Sequence, residues 1–262
     1  IDLEPKASFG FGMHVWPTLP SGTIASKPGV LMAAAETFEL VLTGKGGHAA
    51  MPHLTIDPIV AVSSLITNLQ SVVSRTLSPL ESGVISITKV SGGDAFNVIP
   101  SEVTVGGTIR ALSTGMLLDL KAKMETMVDA TVKLHGLVDS KLVYSPDYYP
   151  PTSNDEELFA WSRGVSDLVS PEGRTREIEP TMGGEDFGFL GQAIPSNFFY
   201  LGQGTGGDES HHVPPTDYGL HHPSFALDEH VLPLGVQLHA NLALRSLDKL
   251  LHKVDGEASA EL

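Results

Sequence analysis

The fold is decided by a segment that begins with Thr37-Phe38-Glu39-Leu40-Val41-Leu42. Polar and apolar side chains alternate along these residues, which is the pattern of a half-buried β-strand. Glycine-rich residues 44–47 follow, and after them residues 56–75 place apolar side chains at approximately helical spacing behind the start signal Asp57-Pro58. The segment therefore opens with a strand and a helix.

Further elements extend this pattern. Residues 84–90 and 103–110 are rich in β-branched side chains and favour two strands, joined by a connection that contains glycine. Residues 113–136 carry leucine, methionine and valine at helical spacing behind Ser113 and Thr114, both of which are possible helix caps. Residues 141–144 favour a short final strand. The order β-α-β-β-α-β predicts a ferredoxin-like sheet with both helices on one face.

The residues on either side of this unit favour a second α/β domain. The strands and helices predicted there lie at residues 9–16, 197–201, 154–168 and 228–251. We therefore expect an α/β fold with two domains. A domain of residues 34–147 is predicted to be inserted into another domain, which is formed by residues 1–33 and 148–262.

Composition excludes several classes of partner and site. Aspartate and glutamate number 31 against 16 lysines and arginines, and the formal charge of -15 disfavours binding to nucleic acid or anionic membranes. No apolar stretch has the roughly 18 residues needed to span a bilayer, and the first residues lack the regions of a signal peptide, so no compartment is indicated. Because cysteine is absent, any metal must be held by histidine, aspartate and glutamate.

The histidines, eleven in number, are the first candidates for chemistry. His14 lies where a glycine-rich apolar strand ends, and open α/β sheets place their sites at strand ends, although a structural histidine is the alternative. His221 and His222 precede the last long helix and fit either a metal-binding pair or a solvated loop. Imidazole is a good ligand for zinc or manganese, but two ligands leave a catalytic site incomplete.

The predicted inserted domain carries three more polar groups beside strands. His48 lies among glycines and small residues, while Asn97 and Arg110 lie at the ends of strands. An imidazole, an amide and a guanidinium could together bind an anion, with arginine as the bidentate partner of a carboxylate. A polar sheet edge is the alternative, and periodicity does not exclude it. Elsewhere, Glu185 and Asp186 follow a glycine pair, where a simple helix start is the alternative.

Taken together, these segments resemble the M20 family of metallopeptidases. The resemblance is to the amidohydrolases that include plant hydrolases of auxin–amino acid conjugates and bacterial hippurate hydrolases, and it covers nearly the whole chain. The motifs that carry it are Phe11-Gly12-Met13-His14-Val15, Gly44-Lys45-Gly46-Gly47-His48-Ala49-Ala50-Met51-Pro52-His53, Ala95-Phe96-Asn97-Val98-Ile99-Pro100, Gly107-Thr108-Ile109-Arg110, Met182-Gly183-Gly184-Glu185-Asp186-Phe187 and Leu220-His221-His222-Pro223.

The resemblance implies a zinc-peptidase-like catalytic domain with an inserted lid that also mediates dimerisation, so a homodimer is expected. It further implies hydrolysis of the amide bond of N-acyl amino acids, such as auxin conjugates. In the family, two divalent metal ions, manganese or zinc, activate a bridging water and polarise the amide carbonyl. Plant members of the family are often found in the endoplasmic reticulum.

The resemblance also implies roles for particular residues, by motif position. His14 and His221 match metal ligands, and His222 is the rival for the second position. His48 matches a lid histidine that reaches an active site, often the partner subunit's, and stabilises the oxyanion. Asn97 and Arg110 match lid groups that hold the terminal carboxylate of the substrate.

One part of the family pattern has no match here. The amino-terminal half of the family supplies a Cys-Gly-His-Asp type segment with two ligands and a Glu-Glu pair with the general base and another ligand, and neither occurs before His14. We therefore expect little or no hydrolysis by these residues alone. The alternative is a shortened, non-catalytic family member that dimerises and binds ligands, and a peptidase for free dipeptides fits the motifs less well.

Overall fold

The chain divides into two compact units. The computed structural model of the protein describes residues 7–170, 173–204 and 215–260. What we call the inserted unit consists of residues 32–151 and 181–186. The flanking unit consists of residues 1–31, 152–180 and 187–262. The predicted boundaries lie close to these, but the prediction did not separate residues 181–186 from their neighbours in the chain.

The longer strands and helices occur near the residues that the sequence predicts. The strands are β1 (Gly10–Pro20), β2 (Ile24–Ser26), β3 (Gly29–Met32), β4 (Ala34–Thr43), β5 (Gly47–His48), β6 (Gly83–Ser91), β7 (Val98–Ile99), β8 (Glu102–Ala111), β9 (Asp139–Tyr144), β10 (Thr152–Asn154), β11 (Thr175–Glu177) and β12 (Ser196–Gly204). The helices are α1 (Pro58–Ser71), α2 (Thr114–His135), α3 (Glu156–Val169), α4 (Phe187–Ala193) and α5 (Leu232–Ala260). In the ranges given above, no helix is both long and apolar enough to cross a bilayer.

The inserted unit has the predicted β-α-β-β-α-β order. Its sheet has the strand order β6-β8-β4-β9, and all neighbouring strands are antiparallel, which is the ferredoxin-like arrangement. Burial alternates along β4 and β8, so that Phe38, Leu40, Val105 and Ile109 join the core formed with α1 and α2. The opposite face carries mostly polar side chains, with Val41, Val84 and Val143 among them, because successive residues of a strand point to opposite faces.

The helices of the inserted unit begin at the residues that the sequence marks. The carboxylate of Asp57 accepts backbone N–H groups at the start of α1, and the Ser113 hydroxyl accepts the N–H of Met116 at 3.1 Å at the start of α2. A π-helical turn at Val72–Thr76 prolongs α1, and α2 ends at Gly136 with a φ of 62°. Capping thus determines where each helix starts, since the first N–H groups of a helix lack internal partners.

The flanking unit contains a sheet of order β1-β12-β2-β11. Strand β12 is buried along its whole length and pairs in parallel with β1, with His14 opposite Tyr200. Phe199 and Leu201 of β12 join an apolar core with Val165 of α3 and Leu238 of α5. Strand β1 is therefore an edge strand in the described part of the sheet, and it carries His14 at that edge.

Candidate functional site

His14 is held by its own strand in a defined tautomer. Its Nδ1 lies 2.7 Å from the carbonyl oxygen of Val15, and the ring is half-buried. Because a carbonyl oxygen only accepts, Nδ1 carries the proton in the neutral ring and Nε2 carries the lone pair. Histidines that bind metals commonly donate their other ring N–H to a backbone carbonyl. The geometry of His14 therefore fits a metal ligand that binds through Nε2.

The two adjacent histidines before α5 differ in how the loop holds them. His221 has a φ of 65°, which lies in a left-handed region that residues other than glycine seldom adopt and that recurs at functional sites. The Nδ1 of His222 accepts the N–H of Ser224 at 3.0 Å, and the ring stacks on Tyr218 with centroids 4.6 Å apart. The Nδ1 lone pair of His222 is thus occupied, and His221 is the better candidate ligand.

These histidines do not form a complete metal site. Among the residues that the structure describes, no group of three or more histidine, aspartate or glutamate side chains is placed to hold a metal ion. A catalytic zinc ion usually has three protein ligands. The donor chemistry of His14 suits zinc or manganese, but further ligands are needed. The metal-binding roles of His14 and His221 remain predictions.

His48 and Asn97 come together on one short ribbon of the inserted unit. Strand β5, which contains His48, pairs with β7, and the N–H of Ala49 donates to the Asn97 carbonyl oxygen at 3.0 Å. The Nδ1 of His48 accepts the N–H of Ala50 at 3.1 Å, so the neutral ring carries its proton on Nε2. Both side chains are exposed. His48 is therefore in a state to donate a hydrogen bond from Nε2.

Arg110 lies on the face of the sheet that the helices leave open. It is opposite Ala35 of β4, and its Nη1 donates to the Met182 carbonyl oxygen at 2.8 Å. The residue lines a cavity of about 210 Å³ in the inserted unit. A guanidinium has five N–H donors, so the bond to Met182 leaves others for a ligand. The arrangement fits the carboxylate-binding role predicted for Arg110, which stays a prediction.

Sequence reasoning missed four residues that share this cavity with Arg110. Thr37 and Thr108 lie opposite each other on β4 and β8, and Asp147 and Tyr149 lie after β9. Alternation along β8 places Thr108 on the same face as Arg110, so the period of the strand could have predicted that Thr108 lies beside Arg110. No local pattern marks Asp147 or Tyr149, because their position depends on contacts with distant strands.

Glu36 also borders the cavity, but its charge is compensated. The Nζ of Lys121 on α2 donates to both carboxylate oxygens of Glu36, at 2.9 and 2.8 Å, and lies 4.0 Å from the centroid of the Tyr144 ring. Burial, with the nearby Glu125 and Glu36 carboxylates, raises the pKa of Tyr144 above its ordinary value. The tyrosine therefore stays protonated, and this cluster joins β4 and β9 to α2.

Sequence comparisons identify relatives of the whole chain. The profile of the peptidase family M20/M25/M40 matches residues 2–245. The IAA-amino acid hydrolase ILR1-like 4 of Arabidopsis thaliana is 40% identical over 243 residues, which are 92% of this chain and 54% of the relative. The N-acetylcysteine deacetylase of Bacillus subtilis (strain 168) is 37% identical over 241 residues, 92% of this chain and 59% of the relative. The chain thus spans little more than half the length of these relatives.

Solved structures share the fold. A putative aminohydrolase from methicillin-resistant Staphylococcus aureus superposes with a TM-score of 0.78 at 30% identity, over 91% of this chain and 59% of that structure. The YXEP protein of Bacillus subtilis, described as a dinuclear metal binding peptidase of the M20 family, superposes with a TM-score of 0.70 at 31% identity. That match covers 92% of this chain and 58% of the YXEP structure.

Proposed function

The chain belongs to the peptidase family M20/M25/M40, and from this premise we propose that it forms part of a metal-dependent hydrolase acting on the amide bond of N-acyl amino acids. The resemblance and the α/β fold predicted from sequence are both confirmed. The substrate class follows the names of two relatives, an IAA-amino acid hydrolase and an N-acetylcysteine deacetylase. Auxin conjugates are one candidate within that class.

One observation carries the proposal, namely the opposite tautomers of His14 and His48. His14 offers an Nε2 lone pair, which a metal ligand needs. His48 offers an Nε2–H group, which a donor to a developing oxyanion needs. Two bound divalent ions, manganese or zinc, would polarise the amide carbonyl and lower the pKa of the attacking water.

We assign the binding of the substrate's carboxylate to the inserted unit. Arg110 supplies a planar guanidinium suited to bidentate binding of a carboxylate, and Asn97 supplies an amide donor. His48 shares the ribbon with Asn97, so one short element carries two of the predicted substrate contacts. On this proposal the inserted unit recognises the amino acid portion of the substrate, and His14 and His221 of the flanking unit bind metal.

The remaining metal ligands and the general base, on this proposal, come from polypeptide outside these 262 residues. The absence of a three-ligand group in the described ranges and the coverage of 54% of a relative's length support this. The same incompleteness supports a second function, in which the chain binds acyl amino acids without hydrolysing them. A hydrolysis assay distinguishes the proposed hydrolase from a protein that only binds acyl amino acids.

A homodimer through the inserted unit is also proposed. Residues 58–74 contain no lysine, arginine, aspartate or glutamate, although Ile59 and Val60 of α1 are exposed. Depletion of charge is typical of interface cores. Strand β6 adds an unpaired sheet edge in the described part of the same unit. An uncharged exposed helix suits contact with a second copy of the chain.

The hydrolysis assay uses protein expressed from the complete coding sequence and loaded with manganese or zinc. We expect it to release alanine from N-acetyl-, N-benzoyl- or indoleacetyl-L-alanine. Replacing His48 with alanine should lower kcat by about 100- to 1,000-fold, because the oxyanion donor is lost. His53→Ala is the matched control, since His53 is an exposed histidine of the same loop with no assigned role.

Two results would contradict the proposed function. Equal losses in His48→Ala and His53→Ala would remove the assigned role of His48. No hydrolysis of any of the three substrates by the metal-loaded wild-type protein would favour binding without turnover.

A further inference from the structure

The lining of the cavity beside Arg110 contains charged groups of both signs that form no ion pair with each other. Arg110 and Asp147 both line it, and neither makes an ion pair with a residue in the described part of the chain. Their charged atoms are therefore more than 4.0 Å apart. Glu36 does not alter this balance, because Lys121 compensates its charge. The cavity lining thus holds a cation and an anion that form no ion pair with each other or with another described residue.

The walls of the cavity leave room for a small polar ligand. Thr37 and Thr108, opposite each other on β4 and β8, contribute short side chains to its lining. Glycine at position 184 lets the backbone pack closely against Ala35 and Tyr149, because a Cβ there would lie 2.9 Å from the Ala35 Cβ and 3.1 Å from the Tyr149 ring. The volume of about 210 Å³ is below the range of roughly 300–1,000 Å³ typical of sites for larger ligands. A molecule with only a few heavy atoms fits best.

We propose that this cavity binds a free α-amino acid as its zwitterion, with the carboxylate at Arg110 and the ammonium at Asp147. A carboxylate matches the guanidinium fork, and an ammonium is the complementary charge for the carboxylate of Asp147. The carboxylate half of this inference rests on the proposed function. Asp147 is the new residue, and its role is to distinguish a charged ammonium from an uncharged amide nitrogen.

This role has a consequence for the proposed reaction. Hydrolysis breaks the bond between the acyl carbon and the amide nitrogen, water supplies the hydroxyl that becomes part of the released carboxylate, and the nitrogen takes up protons to become an ammonium. The uncharged amide nitrogen of the substrate makes no ion pair with Asp147, whereas the ammonium of the released amino acid does. The cavity is therefore expected to hold the amino acid product more tightly than the substrate, so that the free amino acid inhibits.

The test measures binding to protein expressed from the complete coding sequence, by titration calorimetry or NMR. Three probes are compared. L-Alanine carries both charges, N-acetyl-L-alanine carries only the carboxylate, and L-alaninamide carries only the ammonium. L-Alanine should bind most tightly. Asp147→Asn should weaken L-alanine binding by about two- to fivefold, the upper part of the range for an exposed ion pair, and leave N-acetyl-L-alanine binding unchanged. Asp139→Asn is the matched control, because Asp139 is exposed in the same unit and does not line the cavity.

The outcomes separate this inference from the proposed function. If L-alanine does not bind at tens of millimolar, or binds equally to wild type and Asp147→Asn, the inference is wrong. If, in addition, N-acetyl-L-alanine binds to the wild type and this binding is lost in Arg110→Ala, the carboxylate site at Arg110 is supported although the ammonium site at Asp147 is not. If L-alanine binding depends on Asp147 while N-acetyl-L-alanine does not bind, the inference holds and the proposed substrate class is contradicted.

Discussion

At His14 and His48 a single backbone group decides which ring nitrogen carries the proton. The carbonyl oxygen of Val15 can only accept, and the N–H of Ala50 can only donate, so the two neutral rings adopt opposite tautomers. The motifs predict both histidines as functional. They do not predict the tautomers, since these depend on the direction of each ring relative to one nearby backbone atom.

A prediction at the scale of the residue concerns metal binding by His14. Replacing His14 with alanine removes the Nε2 lone pair, and in protein expressed from the complete coding sequence we expect the affinity for zinc to fall by about tenfold or more. His222→Ala is the matched control, because the Nδ1 of His222 already accepts the N–H of Ser224. Competition with a zinc-binding dye and elemental mass spectrometry would measure both. Equal affinity in wild type and His14→Ala would contradict the role of His14.

At the scale of the element, β8 shows why two adjacent glycines are not equivalent. A Cβ on Gly107 would lie 2.0 Å from the Ser86 carbonyl oxygen and 2.9 Å from the Phe38 ring. A Cβ on Gly106 would have no neighbour closer than 3.6 Å. Both glycines belong to the strand that carries Arg110, but only Gly107 faces the crowded core side. Packing therefore requires glycine at one position and tolerates a methyl group at the other.

This difference predicts unequal effects on stability. Gly107→Ala should lower the free energy of unfolding of the inserted unit by about 2–3 kcal/mol or more, because overpacking displaces the neighbouring strand or the Phe38 ring. Gly106→Ala should change it by less than about 1 kcal/mol. Urea unfolding followed by circular dichroism would compare the two variants. Similar midpoints for both would show that β8 is not packed as described.

At the scale of the whole molecule, the uncharged surface of α1 bears on assembly. If a second copy of the chain packs on this helix, a charge placed there must be buried in the interface. Val60→Glu should therefore convert a dimer into a monomer in sedimentation velocity, since an unpaired charge in an interface core is costly. Leu134→Glu on α2 is the matched control, because Leu134 is exposed on the other helix of the same unit.

Two results of that experiment would contradict the dimer. A wild-type chain that sediments as a monomer at all concentrations would remove the proposed assembly. An unchanged dimer in Val60→Glu, or a dimer lost equally in both variants, would exclude α1 as its interface.

The sequence by itself determined the longer strands and the two helices of the inserted unit. Alternation with a period of two predicted β4, β-branched side chains predicted β8, helical spacing predicted α1 and α2, and Asp57 and Ser113 were among the marked helix starts. These features are local, because the face of a strand or a helix is formed by residues only a few positions apart in the chain. The short strands β2, β3, β5, β7, β10 and β11 escaped prediction because two to four residues are too few to show a period.

Only the tertiary structure decided which distant residues share a site. It grouped residues 181–186 with the inserted unit, bonded Arg110 to Met182, and placed Asp147 beside the cavity that Arg110 lines. The contact between Arg110 and Met182 joins residues 72 positions apart. Such contacts arise from strand register and from the packing of whole elements, and neither is encoded in the spacing of side chains along one segment.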